Sequence, residues 1–225
     1  MPCTLPASLA DAAVCRGSFH AVLGGEAGEA VFADFSAALQ KAQAEGRILT
    51  ASLFRYENHL FFYAEGLNRP FTPQGLCPAL DAALLPWPPA LGEAAPRPWA
   101  AMQPYFYHDI PTTAADWQQG RCPQRRRGRI ALLPPDSWCS YMEHHLRIVT
   151  EGLVEGDRWH LICVQEGVLF SYLEEPRTNV NIKHQPGAHS PELDAWIAAD
   201  PESHFARFTP EQKAHPDSGH NFVFL

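Results

Sequence analysis

The 225 residues carry 17 Lys and Arg against 25 Asp and Glu, a formal charge of −8, with 46% hydrophobic and 11% aromatic side chains. That apolar share is enough for a packed core and excludes general disorder, and the acidic balance argues against a nucleic-acid partner. No run approaches the roughly eighteen apolar residues of a membrane span, and the N-terminus has no signal-peptide pattern. The six cysteines (Cys3, Cys15, Cys77, Cys122, Cys139, Cys163) form no CxxC, which reads as reduced thiols in a cytoplasmic chain.

Residues 1–17 predict a tail or a short covering helix. Ser18 to Leu23 reads as a strand, ended by Gly24-Gly25. From Gly28 to Glu45 the apolar residues Val31, Phe32, Phe35, Leu39 and Ala42 recur at helical spacing, with Gly46 as the C′ residue. Strands Ile48 to Phe54 and His59 to Ala64 flank the turn Glu57-Asn58. The Pro-rich stretch 66–98 holds a short helix near Leu76 to Leu85. Another short helix is expected near Trp99, then a strand from Gln103 to His108. Residues 18–111 thus read β-α-β-β-α-β.

A polar linker is expected over 112–128, with Arg125-Arg126-Arg127 as its solvated basic run. The same order then returns over 129–225. Arg129 to Leu133 is a strand. Asp136 to Gly152 is a helix, capped by Asp136 or Ser137. Trp159 to Gln165 and Val168 to Glu174 pair around Glu166-Gly167, Pro191 to Ala199 is a short helix, and Phe222 to Leu225 is a closing strand.

Residues as well as pattern repeat. Glu57, Leu60, Phe61, Tyr63 and Glu65 match Glu166, Leu169, Phe170, Tyr172 and Glu174 at an offset of 109 (57 to 166). Carried back without a gap, this offset puts Phe32 on Tyr141 and Ser36 on His145. The expected fold class is α+β: two tandem ferredoxin-like repeats forming an intramolecular dimeric α/β-barrel, the first half lacking a working site. Such a pseudo-dimer needs no second chain, so a monomer is expected rather than a homodimer.

Tyr141 and His145 lie one turn apart on one helix face, a compact way to present a hydroxyl and a proton-transfer group to a small polar substrate. The plainer alternative is a packed tyrosine and a hydrogen-bonded histidine at the core edge. His144 is a neighbouring candidate, against a place facing solvent or the helix end. His160 alternates with Trp159, so one of the two faces a pocket. Glu174 is either a substrate contact or a structural group at its strand end, as its counterpart Glu65 suggests. Arg177 and His184 occupy an irregular loop that could close over a ligand. His144, His145, His160 and His184 could supply metal nitrogens, but no HxxxH or HExxH is present, and no metal is expected.

The second half resembles the L-rhamnose mutarotase family. The carrying residues are Pro135-Asp136, Tyr141-x-x-x-His145, Gly156, Leu169-Phe170 leading to Glu174, Trp196, and Phe222-Val223-Phe224-Leu225. The resemblance implies a dimeric α/β-barrel that interconverts the anomers of a free sugar without a cofactor. It implies His145 as proton carrier, Tyr141 as a substrate-contacting hydroxyl and Trp196 as a wall for the apolar sugar face. Ile197 stands where the family has a second aromatic, and Pro176 to Ser190 departs from its helical connection. Two alternatives remain. One is a different dimeric α/β-barrel enzyme, such as a cofactor-free or haem-linked oxidase; the other is a non-catalytic sugar- or metabolite-binding module.

Overall fold

The computed structural model describes residues 6–152, 154–176, 183–184, 187, 189–212 and 221–225. The elements in chain order are β1 (Val14–Val22), α1 (Glu29–Ala44), β2 (Ile48–Tyr56), β3 (His59–Leu67), α2 (Pro78–Ala83) and β4 (Ala100–Tyr107), then α3 (Ala114–Gln118) and β5 (Arg125–Leu132). There follow α4 (Pro135–Glu151), β6 (Val154–Glu155), β7 (Leu161–Gln165), β8 (Val168–Glu175), β9 (Lys183–His184), α5 (Pro191–Ala198) and β10 (Val223–Phe224). The protein is α+β, and every strand pair is antiparallel. No helix among the described residues is long and apolar enough to cross a membrane.

The chain packs as two compact units. The first is Met1–Met102 with Pro111–Cys122; the second is Gln103–Ile110 with Pro123–Leu225. In the first unit the strands run in the order β4-β1-β3-β2, and in the second β10-β5-β8-β7. These are the same permutation, since β1 and β5 each open a β-α-β-β-α-β order. The hairpin registers keep the 109-residue offset: Leu53 faces Phe62 as Ile162 faces Ser171, and Phe54 faces Phe61 as Cys163 faces Phe170. The β7–β8 turn needs its glycine. Gly167 has φ 78°, and a Cβ there would lie 2.8 Å from the Leu133 carbonyl oxygen.

The first unit closes its core with Leu60 and Phe62 from one face of β3, Phe35 and Leu80 from α1 and α2, and Trp99 just ahead of β4. On β3, Glu65 is fully buried. Its carboxylate accepts from the Tyr63 hydroxyl at 2.6 Å, the Trp117 indole at 3.0 Å and the Arg121 guanidinium at 2.7 and 3.0 Å. Burial alone would raise the pKa of Glu65, but the Arg121 guanidinium and the Tyr63 hydroxyl hold it below the ordinary carboxylate range. This network ties Pro111–Cys122 to the first unit.

Several boundaries differ from expectation. β1 starts at Val14, inside the expected tail, because Val14 to Arg16 pair with Leu67 to Glu65. No helix forms near Trp99; Ala100 to Met102 pair with His20 to Ser18 as the start of β4. The expected linker 112–128 contains α3 and the start of β5, where Arg126 and Arg127 lie opposite Glu174 and Leu173. Facing carboxylates make the basic run a strand. Arg126 meets Glu174 at 3.5 Å and Arg127 meets Glu175 at 3.2 Å. α4 begins at Pro135 with no side-chain cap, so neither Asp136 nor Ser137 plays that part. β7 begins only at Leu161, leaving Trp159 and His160 in the preceding turn. The expected division at 111 also falls elsewhere. Gln103 to Tyr107 pair with β7 and belong to the second unit.

Arg121→Met is expected to strand the Glu65 carboxylate and to cost about 3–5 kcal/mol, read from urea unfolding. A loss under about 1 kcal/mol, the range of an exposed ion pair, would show that the network does not hold the 111–122 segment.

Candidate functional site

The site in the second unit grows from α4. Pro135 at its first turn needs no amide partner, and Gly152 ends it in the left-handed conformation, its amide bonded to the Ile148 carbonyl at 3.3 Å. Between these ends Tyr141, His145 and Ile148 fall on one buried stripe.

His145 is 4% exposed. Its Nδ1 lies 3.0 Å from the Tyr141 backbone carbonyl, one turn back. A carbonyl can only accept, so Nδ1 carries the hydrogen and Nε2 is the bare acceptor of a neutral ring. Burial lowers the imidazole to a pKa of about 4, against an ordinary 6.5. The hydrogen bond to Tyr141 opposes this shift, and the positive Arg129 and the neighbours His144 and His204 add to it. Burial also raises the Tyr141 phenol, so its hydroxyl keeps its proton through neutral pH.

β4 supplies the opposite wall. Tyr105 stands edge-on to Tyr141 and His145 at 6.0 and 5.5 Å, and burial holds its phenol well above the ordinary range. Phe106 meets the rings of His145, His108 and His160 at 4.7, 4.9 and 6.0 Å. From α5 comes Trp196. Ser190 caps that helix by accepting from the Leu193 amide at 3.0 Å and is bonded in turn to Glu151 of α4. The Trp196 ring then lies edge-on to His145 at 4.7 Å and to Tyr141 at 5.3 Å. Arg129 comes from β5. It donates to the Ser171 hydroxyl at 3.2 Å and covers the Phe222 ring at 4.5 Å. Phe106, Arg129, Tyr141, His145 and Trp196 line a cavity of about 420 Å³ together with Phe205, Phe222, Ile197 and Glu202, and Tyr105 packs behind Tyr141 and His145.

Of the residues singled out from sequence, Tyr141, His145, His160 and Trp196 line this cavity. His144 does not; it is half-buried behind Trp196, with rings 5.4 Å apart and His204 at 6.4 Å. Glu174 does not either. It accepts from the Tyr172 hydroxyl at 2.6 Å, just as Glu65 accepts from Tyr63. The Tyr-x-Glu sequences of β3 and β8 thus build the same strand-end clamp. Val154 pairs with His184 across β6 and β9; Arg177 lies outside the described residues. Among the described residues no three His, Cys, Asp or Glu side chains are grouped to hold a metal ion.

Sequence reasoning missed Tyr105, Phe106 and His108, because their strand belongs in chain order to the first repeat. It also read Arg129 only as the first residue of its strand. The only available signal was the aromatic sequence Tyr105-Phe106-Tyr107-His108. No protein-family model, curated protein or solved structure matches the chain.

The first unit has an apolar counterpart to this site. Burial and the left-handed helix-end glycines (Gly46, Gly152) align the first helices at an offset of 106 (46 to 152), not 109. Phe35 then replaces Tyr141, Leu39 replaces His145 and Ala42 replaces Ile148, rather than the gapless Phe32 and Ser36. The extra residues of the second unit fall between Gly152 and Leu161. The second helices align Leu80 with Leu193, which puts Ala83 where Trp196 stands.

The buried imidazole makes stability depend on pH. Above pH 6.5 neither folded nor unfolded His145 is charged. As pH falls from 6.5 toward about 4, the unfolded chain takes up the proton and the folded one does not. His145 therefore costs stability across that window, on the order of 3 kcal/mol at its lower end. In urea unfolding at pH 7.5 and 4.5, His145→Asn is expected to lose less stability than wild type on acidification. Equal losses would contradict the depressed pKa.

Proposed function

We propose that the chain is a tandem duplicate of ferredoxin-like halves related to the dimeric α/β-barrels, and that its second unit is a cofactor-independent mutarotase acting on a small free sugar. The single observation carrying this reading is the neutral His145, which with Tyr141 lines a cavity of about 420 Å³. Anomer exchange needs a base for the anomeric hydroxyl, a proton for the ring oxygen and a surface for the sugar's C–H face. His145, the polar groups around it and the Trp196 ring are groups of those kinds. The emptied stripe of Phe35, Leu39 and Ala83 in the first unit fits a single working pocket and a scaffold half.

The same observation also favours a second reading, a non-catalytic sugar-binding module. A base whose conjugate acid has a pKa of about 4 is a weak proton acceptor at neutral pH, yet it remains a good hydrogen-bond acceptor for a sugar hydroxyl.

Saturation-transfer NMR on free glucose, galactose, ribose, fucose and rhamnose separates the two. The mutarotase reading expects accelerated exchange on at least one sugar and its loss, by about 100-fold or more, in His145→Ala. Trp196→Ala is expected to weaken binding of that sugar by about 10-fold, a loss of 1–2 kcal/mol of aromatic contact. Saturable binding with no exchange would select the binding module, and neither exchange nor binding on any sugar would overturn both.

A further inference from the structure

A ring-opening base leaves half of the exchange unassigned, since the ring oxygen must receive a proton as the anomeric hydroxyl loses one. We infer that His108, which directly follows the strand closing the first repeat in chain order, is the second proton carrier of the site built around His145. The inference rests on the mutarotase reading of that cavity.

Three observations place His108 there. It lines the same cavity as His145 and His160. Its ring meets Phe106 edge-on at 4.9 Å, and the His145 ring meets that phenyl in the same way at 4.7 Å, so one apolar side chain sets the position of both imidazoles. Gly156 then fixes where the ring lies. A Cβ on Gly156 would fall 1.9 Å from His108 Nε2 and 2.1 to 2.2 Å from its ring carbons, so the imidazole occupies the space a side chain would fill. Gly156 has no positive φ to explain its identity; the close approach of His108 does. Titratable and charged groups near His108 include His160, at 6.3 Å ring to ring, and its chain neighbour Asp109, which pairs with Arg158 at 2.9 Å.

The proton balance closes with two histidines in opposite states. Neutral His145 takes the anomeric hydroxyl proton through Nε2, and protonated His108 gives its proton to the ring oxygen. The bond from the anomeric carbon to the ring oxygen breaks as the aldehyde C=O forms. After rotation about the adjacent C–C bond, the former ring oxygen attacks the other carbonyl face and returns its proton to His108. His145 gives its proton to the new anomeric oxygen. Both side chains end as they began, with no oxidant or cofactor required.

The test uses the full chain, on the sugar of the panel that exchanges fastest. His108→Gln is expected to lower kcat by about 100-fold or more with KM little changed, and to remove the loss of kcat at alkaline pH that deprotonation of His108 produces. Gly156→Ala, which displaces the ring without altering a titratable group, is expected to lower kcat in the same direction. With ¹⁵N-histidine labelling, saturating sugar is expected to shift the ring signals of both His108 and His145. Exchange by wild type with an unchanged rate and pH profile in His108→Gln, or a sugar that shifts His145 alone, would overturn the inference and leave the mutarotase reading standing. No exchange by wild type on any sugar would overturn that reading, and the inference with it.

Discussion

The site depends on one hydrogen bond inside a helix, from Nδ1 of His145 to the carbonyl of Tyr141 at 3.0 Å. Fixing the hydrogen on Nδ1 fixes the lone pair on Nε2, and burial between Phe106 and Trp196 removes the water that would otherwise stabilise a charged ring. The bond to a carbonyl favours the imidazolium but is outweighed by desolvation and by Arg129. A neutral, oriented imidazole follows from these geometric facts. α4 supplies the spacing, β4 and α5 supply the walls, and β5 supplies the cation whose field discourages protonation.

The two units start from one β-α-β-β-α-β plan and spend it differently. In the first, an apolar stripe packs α1 against Phe62 and Trp99, and the buried polar investment goes to Glu65 and the 111–122 segment. In the second, the same helix positions carry Tyr141 and His145, and the Tyr-x-Glu clamp is met by Arg126 at 3.5 Å instead of a buried guanidinium. A polar pocket costs packing, so the unit that bears it has fewer apolar residues on its first helix.

Much of this was legible in the sequence, and what was not has physical causes. The 109-residue offset of the hairpins is a statement about register, and register is set by side-chain alternation that a sequence displays. The Tyr141–His145 pair was visible because i, i+4 spacing is local. The offset of the first helix was misread because the extra residues lie between Gly152 and Leu161, where no alternation marks them. Tyr105, Phe106 and His108 escaped notice for a different reason. Pairing of β4 with β7, a long-range event, carries this segment from the repeat it belongs to in chain order into the second unit, where Phe106 and His108 line the cavity and Tyr105 packs on Tyr141 and His145. Arg125–Arg127 looked like a solvated linker because the carboxylates opposite them are some fifty residues away (125 to 175). Glu174 could be read either way until its hydroxyl partner, Tyr172, was in place.

The most direct test of the account is the protonation state and tautomer of His145, read from its ring ¹⁵N shifts in long-range ¹H–¹⁵N spectra across pH 8 to 4. The structure predicts a hydrogen on Nδ1, a bare Nε2, and no proton uptake until the pH approaches about 4. A ring that carries its hydrogen on Nε2, or that titrates near the ordinary 6.5, would contradict the neutral, oriented base on which the site is built.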